Sequence, residues 1–218
     1  MTDTTPAIVK NTPQTYNVVS MAEFGTMEIP ERKWLLYPFI QEKSACMLFA
    51  TRGMGKTFFC LSIALAVSTG TNILNFVVEQ PYKVLYIDGE MNAYDMQERL
   101  KRLSTGMGLD FATNQNLFIL TNDFQAVPIS NLSTPAGQNK IEIILAENEI
   151  NLVIIDNVSA LCSHGRENEA ESWIPMNEWI IDLRRRGYSV LIIDHAGKNQ
   201  DNRGTSKKQD VMDAVVSL

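Results

Sequence analysis

One stretch constrains the fold of this chain more than any other. Ala50-Thr51-Arg52-Gly53-Met54-Gly55-Lys56-Thr57 leaves an apolar run of strand length, SACMLFA (44–50), and enters Lys56–Thr69, which is almost wholly apolar and stops at Gly70. A strand that hands over to a buried helix through a short glycine-containing loop belongs to an α/β architecture. The stretch matches G-x-x-x-x-G-K-[ST] except at its first position, where Ala50 ends the strand. Gly53 and Gly55 let the backbone curl so that successive N–H groups converge, and the helix N-terminus adds partial positive charge. Lys56 supplies a full charge and the Thr57 hydroxyl suits Mg²⁺. Phosphate is the ligand such a cradle fits, with Arg52, Gly53, Met54, Gly55, Lys56, Thr57 and Phe58 around it. The competing reading is a glycine turn with a surface lysine, and the strand before and helix after favour the cradle.

The rest of the chain repeats the alternation. KVLYID (83–88), NLFIL (116–120), NLVIID (151–156), YSVLIID (188–194) and DAVVSL (213–218) have strand length and β-branched or aromatic content. Several are apolar on consecutive residues, as strands covered on both faces must be. Between them the pattern predicts helices over Asn92–Thr105, with Asn92 as N-cap, over Pro135–Asn148, and over Ser172–Arg186, with Pro175 in the first turn. The fold class expected is α/β, a mostly parallel central sheet flanked by helices on both faces. Residues 1–28 have no sustained periodicity and contain Pro6 and Pro13, which predicts a flexible tail ahead of one domain over 29–218. PERKWLLYPFI (30–40) reads as a strap on the core, with a lid over a ligand as the alternative.

Three further features stand at strand ends. Asp156 closes NLVIID, where a carboxylate beside the phosphate loop is placed to hold the water shell of Mg²⁺. Glu90, in Asp88-Gly89-Glu90-Met91, is placed to orient an attacking water, against the alternative of a solvated loop acid. His195 ends VLIIDH, either as a buried structural histidine or as a sensor of the terminal phosphate. The loop after it carries Lys198, Arg203, Lys207 and Lys208 against Asp201 and Asp210, a basic stretch that either touches nucleic acid or is solvated.

Charge limits the partners. Nineteen Lys and Arg against 25 Asp and Glu leave a net charge of −6, so contact with a polyanion needs a local basic patch. Cys46, Cys60 and Cys162 make an odd set with no CxxC pair, which suggests neither a zinc site nor a disulfide framework. The N-terminus lacks the apolar core of a signal peptide and no segment reaches the ~18 apolar residues of a membrane span. A cytoplasmic location and no membrane partner are expected.

Together ATRGMGKTFFCLSIALAVSTG, VLYIDGEM, NLVIIDNVSAL and VLIIDHAGK…RGTS…D resemble the RecA-like P-loop ATPases of the plasmid-replication RepA helicase type, AAA-family ATPases of mobile elements. The resemblance covers about residues 30–218 and implies a RecA-like core. It implies ATP and Mg²⁺ as ligand and cofactor, Lys56 and Thr57 as Walker A, Asp156 as Walker B, Glu90 as catalytic glutamate and His195 as sensor. It also implies a homo-oligomer, a ring such as a hexamer, with ATP between subunits. Single-stranded DNA would meet the loops 163–171, with His164 and Arg166, and 196–209. Relatives continue beyond the strand that ends at Leu218, so either a fragment or a shortened member is expected, with Arg203 as the nearby candidate for an arginine finger.

The function so expected is an ATP-hydrolysing motor acting on single-stranded DNA as a replicative-type helicase or remodelling ATPase. The alternative is a nucleotide-dependent module that oligomerises and recruits a partner without translocating. A small-molecule kinase fits less well for want of an Arg-rich lid, and Thr51 disfavours the partition-ATPase deviant, which has lysine there.

Overall fold

The computed structural model describes residues 16–51, 53–162, 169–195 and 209–218, with residues 169–172 described for their backbone alone. The chain divides into two units, Met1–Glu31 and Arg32–Leu218.

In the first unit the described residues contain a short helix, α1 (Met21–Thr26), where the sequence predicts a tail without regular structure. Its start is held by a reciprocal cap. The Glu23 N–H donates to Ser20 Oγ at 3.2 Å, and the Ser20 N–H donates to Glu23 Oε2 at 2.7 Å. Two N–H groups that a helix start leaves without partners are thereby satisfied.

The second unit opens with a two-stranded antiparallel hairpin, β1 (Trp34–Leu36) and β2 (Ile40–Gln41). Leu35, Leu36, Phe39 and Ile40 are buried in the core, so this segment packs as a strap. Six strands follow: β3 (Ala45–Ala50), β4 (Val84–Asp88), β5 (Leu117–Thr121), β6 (Leu152–Asp156), β7 (Ser189–His195) and β8 (Ala214–Ser217). They form one sheet in the order β5-β4-β6-β7-β3-β8 with every pairing parallel. Parallel neighbours need crossovers, and these are α2 (Lys56–Thr69), α3 (Ala93–Gly106), α4 (Pro135–Glu147), α5 (Val158–Leu161) and α6 (Glu169–Arg185).

Successive strand residues point to opposite faces, and the core divides accordingly. Val84, Tyr86, Leu152, Ile154, Leu191 and Ile193 pack with α2 and α3, while Leu85, Ile87, Val153, Ile155, Val190 and Ile192 pack with α4, α5 and α6. Each such aliphatic side chain contributes about 1.5–3 kcal/mol by leaving water, which is why the strands are apolar without a break. The helix α2 is apolar nearly all round because it lies between the sheet and the strap; it ends at Gly70, whose φ of 72° only glycine adopts readily.

The helix α6 departs from expectation. It begins at Glu169 rather than Ser172, which puts Pro175 inside the helix instead of in its first turn. A proline there has no N–H for the carbonyl four residues earlier, so one hydrogen bond of the helix is forgone. The tertiary burial of Trp173, Met176, Trp179, Ile180 and Leu183 on α6 offsets that loss.

Register brings four strand ends to one edge: Ala50 lies opposite His195, and Asp88 opposite Asp156. Ligands of open parallel sheets bind at this carboxyl edge, where the strand order reverses. The three cysteines are buried and none is in a disulfide; burial pushes the Cys46 thiol up to about 11, which makes it unreactive. Among the described residues no helix is long and apolar enough to cross a membrane.

Candidate functional site

The turn from β3 into α2 has the backbone that the phosphate reading requires. Gly53 and Gly55 lie at φ 82° and 85°, and a Cβ added at either would meet nothing within 4 Å. Conformation, not space, is therefore what calls for glycine. Gly55 is the N-cap of α2 and no side chain caps that end, so the helix start presents its backbone N–H groups to whatever the loop holds. Lys56 is buried to 6% exposure, and its ammonium donates to the carbonyls of Ala50 (2.6 Å) and Thr51 (2.9 Å), which pins it along the loop.

Asp156 is buried at the end of β6. Its Oδ2 accepts the Tyr86 hydroxyl at 2.6 Å, and the Thr57 hydroxyl also donates to its carboxylate. Burial raises its pKa, opposed by these two hydrogen bonds. Tyr86 is fully buried and its pKa is raised well above 10, first by burial and then by Asp156, so the phenol stays a donor.

One strand over, Asp88 is likewise buried, and burial raises its pKa to about 6 although it accepts the backbone N–H groups of Met91, at 2.8 Å, and Glu90. Glu90 follows on the turn, its side chain exposed.

His195 closes β7 between the loop strand and β6. Asn157 Oδ1 accepts the Ala160 N–H at 3.0 Å, so its Nδ2 faces His195 Nε2, 3.2 Å away, and that ring nitrogen is the acceptor. The tautomer is thereby assigned with hydrogen on Nδ1.

These groups surround a cleft of about 690 Å³ lined by Gly53, Gly55, Lys56, Thr57, Phe58, Glu90, Arg99 and His195. Met54 lies beside it, lining with Phe58 and Gly55 an adjoining apolar groove of about 680 Å³. Of the residues singled out in the sequence, Gly53, Gly55, Lys56, Thr57, Phe58, Glu90 and His195 thus meet at one cleft, with Asp156 joined to it through Thr57. Arg52 lies outside the described residues, as do Arg166, Lys198, Arg203, Lys207 and Lys208.

Four residues near the site escaped the sequence reading. Arg99 reaches the cleft from α3, and a signal for it existed: it stands three residues after Met96 and four before Leu103, beside the buried stripe of that helix. Tyr86 and Asn157 act through neighbours that only strand pairing reveals, and Asp88 acts through the turn just ahead of it.

The donor set suits Mg²⁺. That ion is held through one or two carboxylates plus substrate phosphates rather than by an all-protein cage. Here one hydroxyl, Thr57, is bonded to one buried carboxylate, Asp156, and among the described residues no cluster of three or more His, Cys, Asp or Glu side chains could form a cage. Those two residues would hold the ion, which supplies positive charge against phosphate oxygens.

The family model described as an AAA domain (AAA_25) matches residues 10–201. Among solved structures, the fold is similar to that of a KaiC-like protein from the hyperthermophilic archaeon Pyrococcus horikoshii OT3, with a TM-score of 0.58 and 15% sequence identity over 84% of this chain and 74% of that one. No curated protein matches.

Proposed function

We propose, because the chain belongs to the AAA domain family and carries a phosphate loop ringed by acids, that it binds and hydrolyses Mg·ATP to drive work on single-stranded DNA. By family and fold this is a nucleotide-binding P-loop ATPase of RecA-like fold. The observation that supports hydrolysis is the convergence of Lys56, Thr57, Glu90 and His195 on one cleft.

Phosphoryl transfer needs positioning and charge neutralisation more than covalent chemistry. The loop N–H groups and Lys56 hold the phosphates, Thr57 and Asp156 hold the cation, and Glu90 orients the attacking water by accepting one of its protons. His195, its Nε2 fixed by Asn157, senses the terminal phosphate from the strand between. Arg99, exposed on α3, offers a guanidinium to the same cleft.

The motor reading further holds that copies of the chain assemble into a ring, such as a hexamer, of the RepA helicase type. Its DNA contacts would come from Arg166, Lys198, Arg203, Lys207 and Lys208, a local basic set on an acidic protein. ATP turnover with and without single-stranded DNA, alongside the mass of the assembly in a non-hydrolysable ATP analogue, tests it. Stimulation by DNA and a closed oligomer are expected. Turnover indifferent to DNA, with no strand displacement, would leave the ATPase and refute the motor, pointing to a switch that recruits a partner.

A further inference from the structure

We infer that Asp88 is a positioning residue: its carboxylate fixes the turn that carries Glu90 over the phosphate loop. The inference rests on the reading of Glu90 as the group that orients water, and it assigns the support that reading needs.

A carboxylate that must aim a water within tenths of an ångström cannot ride on a loose loop, since a displacement of about 1 Å can cost ~10²-fold in rate. Glu90 has an exposed side chain, so its own packing does not hold it. What holds it is backbone. Asp88, 2% exposed at the end of β4, directs its carboxylate forward along the chain to the N–H of Met91, the residue after Glu90, at 2.8 Å. Between them the Gly89 N–H donates to the Asp156 carbonyl at 2.8 Å, tying the turn to the neighbouring strand. That approach is close enough to exclude a side chain: a Cβ at Gly89 would lie 2.8 Å from Ala160 Cβ and 2.9 Å from Leu161 Cγ.

The far side of the turn is also anchored. The Thr121 hydroxyl donates to the Met91 carbonyl at 3.4 Å, and Asp123 Oδ2 accepts the Ala93 N–H at 2.8 Å where α3 begins. Glu90 is thus clamped on both sides by groups at the ends of β4, β5 and β6, leaving its side chain alone free to reach into the cleft.

The choice of residue at position 88 supports a functional role. The two residues before it on β4, Tyr86 and Ile87, are fully buried, and an apolar residue would be the less costly occupant of a site with 2% exposure. An ionised acceptor makes hydrogen bonds roughly twice as strong as a neutral one, and the backbone bonds it receives here go to the Glu90 turn.

The test uses the full chain with Asp88→Ala, Asp88→Asn, Glu90→Gln and the double variants. Three quantities are read: turnover, affinity for a non-hydrolysable ATP analogue by calorimetry, and amide hydrogen exchange across residues 89–92. Asp88→Ala should lower kcat by ~10- to 10²-fold, leave nucleotide affinity within about threefold, and speed exchange at the Glu90 and Met91 amides. In the Glu90→Gln background the same change should cost less than about twofold, because its effect runs through a side chain already disabled. Equal losses in both backgrounds, or unchanged turnover despite faster exchange, would overturn the inference. Should Asp88→Ala fail to fold, Asp88→Asn, of nearly the same volume, is read by the same criteria. Wild-type turnover in Glu90→Gln alone would refute the role of Glu90 itself, a result visible before any Asp88 variant is measured.

Discussion

Asp88 also yields a stability prediction whose sign follows from burial. Its folded pKa of about 6 lies above the ordinary 3.8, chiefly because the charged form is desolvated, with the neighbouring Asp156 adding to the rise and two backbone N–H groups opposing it. A folded pKa above the unfolded one means that the native protein holds the proton more tightly. Below about pH 3.8 the group is protonated in both states and contributes no penalty; as pH rises toward 6 the penalty grows, and above 6 it is complete. Two pH units at about 1.4 kcal/mol each give ~3 kcal/mol for a fully shielded group, and solvent in the cleft screens this to about 1.5–3 kcal/mol. The assay is urea unfolding at several pH values from about 4 to about 7, for the wild type and for Asp88→Asn. The other carboxylates titrate in both proteins and largely cancel in the difference. The wild type should lose about 1.5–3 kcal/mol relative to the variant over that range. A difference that stays flat would show that ionised Asp88 carries no net penalty, and one that rises with pH that it is held favourably; either would refute the reasoning.

Three other outcomes follow from the same edge of the sheet. Glu90→Gln should keep nucleotide binding while reducing hydrolysis by ~10²-fold or more, measured as turnover against calorimetric affinity; turnover like the wild type would remove Glu90 from its role. Lys56→Ala should weaken ATP binding by ~10- to 10²-fold, the worth of hydrogen bonds to a charged group, and affinity within a factor of two would show that the loop grips without its lysine. Tyr86→Phe leaves Asp156 Oδ2 without its 2.6 Å donor, so it should cost about 1–3 kcal/mol of unfolding free energy, seen as a lower denaturant midpoint at constant slope. An unchanged midpoint would mean that the phenol does not support Asp156.

Much of this architecture was legible because its causes are local. Lys56–Thr69 has the same bounds in sequence and structure, since an apolar run between two glycines allows little else. Asn92 caps α3 as expected, its Oδ1 accepting the Asp95 N–H at 2.8 Å. The capping box Ser20-x-x-Glu23 was legible too, but a surrounding polar, proline-bearing segment hid it. Pro175 fits the first turn of a helix that starts at Ser172, whereas burial of Trp173 and its neighbours carries α6 through it from Glu169. The order β5-β4-β6-β7-β3-β8 was not legible, and with it went every contact that depends on who pairs with whom. Tyr86 and Asp156 are 70 residues apart, and nothing in either segment announces the hydrogen bond.

The carboxyl edge of the sheet shows why those missed contacts matter. Its acids are handled differently from the charges elsewhere in the protein. Arg184 pairs with Asp213, and Arg186 with Glu142 and Asp182, on the outside of the fold, where such pairs contribute little. Asp88 and Asp156 are buried side by side, and among the described residues neither is paired with a lysine or arginine. Their partners are neutral donors instead: backbone N–H groups for Asp88, hydroxyls of Tyr86 and Thr57 for Asp156. A salt bridge to Asp156 would neutralise the charge that a bound divalent ion needs, whereas hydroxyl donors orient the carboxylate and leave its charge intact. The same logic keeps the Lys56 ammonium on carbonyl oxygens, from which phosphate oxygens, being charged, can displace it. The stability forgone at this edge is thus the cost of holding unpaired negative charge beside a positive loop until Mg²⁺ and a triphosphate complete the set.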